Sequence, residues 1–469
     1  MPEVARVLSL IQEHAARLVD LRFIDLAGRQ RHVAIEASAV DAQRLQGGVL
    51  IDGSALPGWR EVTEADLLLQ PDPATAWLDP FAAQPTVAIV ANVVEPGTLL
   101  GYERDPRSAL LRAAARLKAL RAADEARIGI DLAFWILDDV RFEDAPGRQG
   151  ASLRGGELRA DSAQIYAAGN PGHRPLPRGG YAASHPADQT AELRAEITSV
   201  LAGLGIAGIT HRHGRAQGQH LLQLPACGLV EAADRLVLAK STIHQVAASY
   251  GKTATFLAKP LAEEAGAGLG LAVSLWAQGK PVFAGTDYAD LSPLCLQFVG
   301  GILKHARAIS AFTNPTTNSW RRLRRGEDEP TLLAYAAHNR SAAIRIPYAQ
   351  HPTGKRIELR FPDPTAHPYL ALAAILQAGL DGIASRQDPG EPIDRNLYDL
   401  PAPDPAELPA LPRDLSEALG WLETDQEFLA EAEVMPRALI DAYLRHKRAE
   451  IAQVEAIPHP AELQLYLGL

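Results

Sequence analysis

Apolar residues recur at three- and four-residue spacing through residues 4–19, with Glu and Arg between them, which predicts an amphipathic helix at the start of the chain. The period then changes to two, and VDLRFIDLAGRQRHVAI reads as two short strands around a turn at Ala27 and Gly28. The β-branched run QPTVAIVANVV at 84–94 predicts a buried strand. These segments make one α+β unit over about residues 1–105. A helix opens on Asp105 and Pro106 as cap and first-turn residue and continues through an Ala/Leu/Arg-rich stretch. Beyond it, strands such as IGIDLAFWIL and LGLAVSLW alternate with helices such as TAELRAEITSVLAGLG, EAADRLVLAKSTIHQVAASYG and LSPLCLQFVGGILKHARAISAF, giving a larger α+β domain over 106–469. Polar, Gly-rich 147–162 reads as a surface loop, and Pro-rich 401–414 as a connector to a helical C-terminus.

Charge narrows the partners. Lys and Arg number 46 against 56 Asp and Glu, a formal net charge of −10 over 469 residues, which argues against nucleic acid or an anionic membrane as the main partner and favours a small molecule. Cys227 and Cys295 are far apart and form no C-x-x-C pair, so neither a disulfide framework nor a zinc motif is expected. No run approaches the roughly 18 apolar residues of a membrane span, and the N-terminus lacks the features of a signal peptide. A cytoplasmic protein is expected.

Three stretches carry candidate chemistry. AGAGLGLAVSLW, Ala265 to Trp276, spaces Gly266, Gly268 and Gly270 by two throughout, so it fits neither phosphate-loop template and reads as a strand packed against a neighbouring backbone. HNRSAAIRIPYAQHPTGKRIELRFPDP places Arg340, Arg345, Arg356 and Arg360 on or beside strand-like alternation, with Glu358 between the last two. Arginines on one sheet face would form a positive cleft for phosphate or carboxylate; the alternative is a solvated basic edge strand. THRHGRAQGQH holds His211, His213 and His220, and His-x-His on a strand points both rings to one face, as in some zinc sites, but no nearby carboxylate or cysteine completes the set.

The strings IDGSALPGW, PGTLLGYERDPRS, GNPGHRPLPRGGY, GKTATFLAKP, NPTTNSWRRL, HNRSAAIRIP, RIELRFPDP, NLYDLP and IPHPAELQLYL are ordered and collinear from about residue 15 to the end. Together they resemble the glutamine synthetase family in its bacterial type I form. The resemblance implies an N-terminal β-grasp domain over 1–105 and, over 106–469, a catalytic domain built on an antiparallel sheet, with a C-terminal helical strap. It also implies subunits in stacked rings as a dodecamer, with the active site at a subunit interface and IDGSALPGW supplied by the neighbour. The implied chemistry is phosphoryl transfer from ATP to the side-chain carboxylate of glutamate, followed by attack of ammonia, with Mg²⁺ held by Glu and His ligands.

Residue by residue, the resemblance assigns Arg322 and Arg360, with Gly266, to glutamate, Asp52 and Tyr181 to ammonium, and Arg340, Arg345 and Ser274 to phosphates and nucleotide. Asp328 stands at the family's catalytic flap glutamate, and Tyr398 at the tyrosine adenylylated in some members. Asp131 and Glu358 keep two metal carboxylates. Ala133, Gly214 and Leu221 stand where the family has glutamates, Gly270 and Ala272 where it has histidines, and Ala265 where it has asparagine. The leading expectation from this pattern is a degenerate metal site in a pseudoenzyme, a binding or regulatory homologue unable to make glutamine efficiently, alone or beside an active paralogue. Two alternatives stay open: a repurposed enzyme acting on an amino acid or amine, and an ATP-dependent γ-glutamyl-amine ligase with one Mg²⁺ held by Asp131 and Glu358.

Overall fold

The computed structural model describes residues 2–121, 123–145, 147–159, 172–324, 329–400 and 408–467. The first helix, α1 (Pro2–Glu13), stops short of residue 19 because Ala15 turns into the left-handed region at φ 45° and the chain enters β1 (Leu18–Ile24). β1 pairs antiparallel with β2 (Gln30–Glu36), from Leu18 opposite Glu36 to Ile24 opposite Gln30. Asp25 closes the turn by accepting from the N–H groups of Ala27 and Arg29 at 3.0 and 2.9 Å, and Gly28 supplies the positive φ. After α2 (Ala42–Gly47) come β3 (Val49–Asp52), β4 (Asp66–Pro71), β5 (Trp77–Leu78) and β6 (Thr86–Val94). The sheet order is β2-β1-β6-β4-β3, with β5 on β6, so the most apolar run lies at the centre and β3 at an edge.

The larger unit begins with α3 (Pro106–Ala119), whose first turn is capped by Asp105 accepting from the Ser108 N–H at 2.8 Å. Its strands are β7 (Glu125–Leu137), β8 (Asp139–Ala145), β9 (Arg148–Arg154), β10 (Thr210–His213), β11 (Gln219–Gly228), β12 (Thr253–Thr255), β13 (Leu269–Ala277), β14 (Lys280–Pro281), β15 (Tyr335–Ala337), β16 (Ile344–Ile346) and β17 (Ile357–Leu359). Between them run α4 (Ala191–Gly203), α5 (Leu229–Ser249), α6 (Pro293–Thr313) and α7 (Ser319–Arg322), and α8 (Pro368–Ser385) follows β17. Among the described residues nine strands form one sheet, seven in the order β10-β11-β7-β13-β17-β16-β15 with β12 on β7 and β14 on β13, antiparallel except for β15 and β16. The expected loop at 147–162 is instead strand as far as Arg154, paired with β8 in a separate hairpin; residues 160–162 lie outside the described residues.

Register makes the large sheet two-sided. Ile130, Leu132, Leu222, Leu224, Leu269, Leu271, Ile357 and Leu359 share one buried face, beneath helices that include α5. Asp131, Ala133, Arg212, Leu221, Gly270, Ala272, Arg345 and Glu358 share the other. Behind the core, α6 and α8 approach at Gly301 and Gly382, where a Cβ on Gly301 would come within 2.1 Å of the Ala378 carbonyl oxygen. By length and composition α8 could cross a membrane, but it is buried against α6 and is read here as a core helix. The two units are tied together by Arg107 of α3, which bridges Asp72, just after β4, and Asp234 of α5 at 2.8 and 2.9 Å and is almost fully buried.

Candidate active site

The polar face of the large sheet floors a cleft of two adjoining compartments, about 330 and 700 Å³. Both are walled by Asp131, Arg212, Gly270, Arg340 and Arg360, so these five residues mark the junction. Strand alternation puts Asp131 (β7), Gly270 (β13) and Glu358 (β17) on the floor, with Arg345 of β16 opposite Glu358.

Asp131 is paired with Arg212 at 2.9 Å through Oδ2, while its Oδ1 is buried without a hydrogen-bond partner. Burial pushes its pKa up against the pull of Arg212, and Glu358 adds to the rise. Glu358 is held by Arg345 at 2.6 Å and approached by Arg356 at 3.6 Å. Arg360 has a buried, unpartnered Nη1, and its burial lowers its pKa.

The smaller compartment holds Arg322, Arg360, Gly266, Tyr181 and Tyr398, together with Ala133, Leu221 and Ala265. Arg322 is more committed than the sequence suggested: Nη1 donates to the carbonyls of Phe361 and Pro362 at 2.8 and 3.1 Å, and Nη2 to Glu329 and the Arg360 carbonyl at 2.6 and 2.9 Å. The larger compartment holds Ser274, Ala272, Arg345 and Glu358. Gly214 is closed off, since a Cβ there would lie 2.6 Å from Gln219. Asp52 sits at the end of edge strand β3, exposed and bonded to Ser54, and does not line either compartment. Asp328 lies outside the described residues. Arg178, Arg212, Arg215 and Glu329, all missed in the sequence, also line the cleft.

The histidines fall on the opposite face of the sheet. His213 and His220 are cross-strand partners beside Phe134, and Glu157 approaches from the segment after β9, completing a buried Glu157–His213–His220 group whose ligand atoms lie within 4.8 Å of one another. The expectation that no carboxylate joins these histidines is therefore corrected; the partner is 56 residues away in sequence. Burial opposes charge on His213, but Glu157 outweighs it and raises the pKa, whereas burial beside Arg194 holds His220 neutral. Arg194 can only donate, so His220 accepts at Nδ1, at 2.9 Å, and carries its proton on Nε2, facing Thr190 and Glu157. These donors could take a cation only if His220 changed tautomer and partner.

Models of the glutamine synthetase β-grasp and catalytic domains match residues 15–96 and 103–466. The chain belongs to the glutamine synthetase family. Proteins named glutamine synthetase from Rhizobium meliloti and Azospirillum brasilense are 43% and 44% identical to it over 469 residues, covering 100% of both chains in each case. One from Escherichia coli (strain K12) is 42% identical over 99% of each chain. Among solved structures, a Plasmodium falciparum glutamine synthetase matches with a TM-score of 0.89 at 25% identity, covering 98% of each chain. A structure titled apo GmaS without ligand matches with a TM-score of 0.81 at 28% identity, covering 99% of each.

These relatives overturn the expectation of a pseudoenzyme with a degenerate metal site, because full-length chains of this similarity carry the name glutamine synthetase. Reading ligands off motif positions alone misled, since it counted lost side chains and not what the fold gathers around the survivors. Asp131 offers a buried, unpartnered carboxylate oxygen on the same face as Glu358, and a buried Glu–His–His group stands across the sheet.

Proposed function

We propose that the protein is a glutamine synthetase, joining ammonia to the side-chain carboxylate of glutamate at the expense of ATP. The observation that carries this is the two-compartment cleft, whose junction sets three guanidiniums around the Asp131 carboxylate in a chain that matches the family end to end. Two anions must meet there, and fixed positive charge at the meeting point lowers the barrier.

Arg360 and Arg322, with Gly266 beside them, would bind glutamate in the smaller compartment, and Arg340, Arg345 and Ser274 would bind the nucleotide. Family members use ATP and Mg²⁺, and the donor set fits one Mg²⁺ on Asp131 and Glu358: two carboxylates leave places for phosphate oxygens and water. Bound there, Mg²⁺ would neutralise the repulsion between triphosphate and carboxylate. Tyr181 would take part in the ammonium site. Asp52 would reach it from a neighbouring copy, consistent with its exposed edge position, and Asp328 would act as the acid–base group. Division at about residue 105, stacked rings as a dodecamer and a cytoplasmic location belong to the same proposal.

Incubating the pure protein with ATP, Mg²⁺, glutamate and ammonium should yield glutamine and ADP in equal amounts, each reactant being required. Failure of the folded oligomer to form glutamine would refute the assignment. Light scattering checks the dodecamer.

A further inference from the structure

We propose that Arg212 supplies a fixed positive charge to the phosphoryl group at the junction of the two compartments, with Asp131 holding its guanidinium in place. The inference rests on the glutamine synthetase reading and names a residue that neither the sequence motifs nor the resemblance singled out.

Arg212 lies on β10 opposite Leu221 of β11, which lies opposite Ala133 of β7. Neither neighbour can accept a hydrogen bond through its side chain, and the guanidinium reaches over β11 to Asp131, two residues before Ala133 on β7, where Nη2 meets Oδ2 at 2.9 Å. The ion pair uses one side of the fork. Nε remains buried with no partner, an unusual state for a charged donor, and the side chain walls both compartments. Arg345 belongs to β16 at the far side of the sheet, and Arg360 follows β17. Arg212 therefore stands across the floor from them, with Gly270 between, where a side chain would crowd Asp131: a Cβ would lie 3.3 Å from the Asp131 Cβ. An anion on that floor would be met by guanidiniums from two directions. Because the fork is pre-organised by Asp131, little reorganisation is needed as charge develops.

The test compares Arg212→Gln and Arg212→Lys with the unaltered protein in glutamine formation. Arg212→Gln should lower kcat by roughly 10²–10³-fold, the usual scale for one electrostatic donor, while KM for ATP and glutamate stays within about threefold. Arg212→Lys, which keeps the charge but not the fork, should recover part of the loss. A kcat within threefold of the unaltered protein in Arg212→Gln would overturn the proposal. So would a lowered melting temperature that Arg212→Lys restores without restoring any kcat, since the charge would then be back in a stable protein without effect on the rate. A second arm, calorimetry with ADP alone and with ADP plus aluminium fluoride, needs no turnover. Fluoride should tighten ADP binding to the unaltered protein at least tenfold and to Arg212→Gln hardly at all. If the unaltered protein makes no glutamine, the functional assignment fails and this arm decides: equal tightening in both, or none in either, removes Arg212 from the site.

Discussion

At Gly266 a Cβ would lie 2.7 Å from Cγ of Arg322 and 3.1 Å from the Ala258 carbonyl oxygen, and at Gly268 it would lie 2.8 Å from Arg322 Nη2. The alternating small residues are thus a mould for one buried guanidinium. Arg322 in turn ties down the carbonyls of residues 360–362, where Arg360 leaves β17 for the cleft. The strand expected over the whole stretch begins only at Leu269, so Gly266 lies in the irregular segment leading into β13, and adding a methyl group there must move either that segment or the arginine. Gly266→Ala is expected to cost about 1–3 kcal/mol, the range for overpacking a tight core, and to raise KM for glutamate more than KM for ATP. Gly203→Ala, on α4 with open space around it, is the control. Thermal unfolding and the two KM values check this; equal behaviour of the two variants would remove the mould from the account. The sequence made the tight packing legible, because only glycine recurs at that spacing, but not that the packed group is a side chain 56 residues downstream.

Elements were legible where one face is apolar. β6, β7 and β13 carry an unbroken or alternating apolar signal, and the same alternation put Arg345 and Glu358 on a shared face. The β8–β9 hairpin was not legible, because it is largely exposed and has no buried face to impose a period-two pattern. Glu157, Arg178 and Arg215 were missed for a related reason: each leaves a segment between strands, where no periodicity fixes direction. His367 couples elements that the sequence cannot relate. Its ring caps α8 by accepting from the Leu370 N–H and donates through Nε2 to the Asp25 carbonyl at 3.0 Å, joining this core helix to the first hairpin. Burial lowers its pKa to about 4, so the unfolded chain binds the extra proton between about pH 6.5 and 4. Stability is full above that window, falls as pH drops through it, and the loss reaches up to about 3 kcal/mol. The melting temperature should therefore separate the native protein from His367→Asn most at pH 7.5, and the gap should close toward pH 4.5. A gap independent of pH would exclude this latch.

The whole molecule carries a formal charge of −10, yet the two compartments are walled by nine arginines and one lysine against three carboxylates among the described residues. Positive charge is therefore concentrated in the cleft while the remaining surface is acidic. A concave cleft with low-dielectric walls focuses such a field, raising the local concentration of anions and orienting their approach. The acidic exterior meanwhile disfavours polyanions too large to enter, consistent with a small-molecule substrate. Five of the arginines are paired with carboxylates, Arg127 with Glu125, Arg212 with Asp131, Arg322 with Glu329, and Arg345 and Arg356 with Glu358, so the net field at the cleft is smaller than the count of cations suggests. What remains should still be screened by salt, because the Debye length falls from about 30 Å at 0.01 M to about 3 Å at 1 M. Raising NaCl from 0.01 to 0.5 M is expected to increase KM for ATP several-fold and KM for glutamate less, since ATP carries more charge, with kcat changing less than either because the groups at the junction would act on the reacting atoms at contact distance, where screening is weakest. Steady-state kinetics across that range decide it. Equal slopes for the two substrates would mean that the cleft acts through its contacts alone, and the long-range part of this argument would have to be given up.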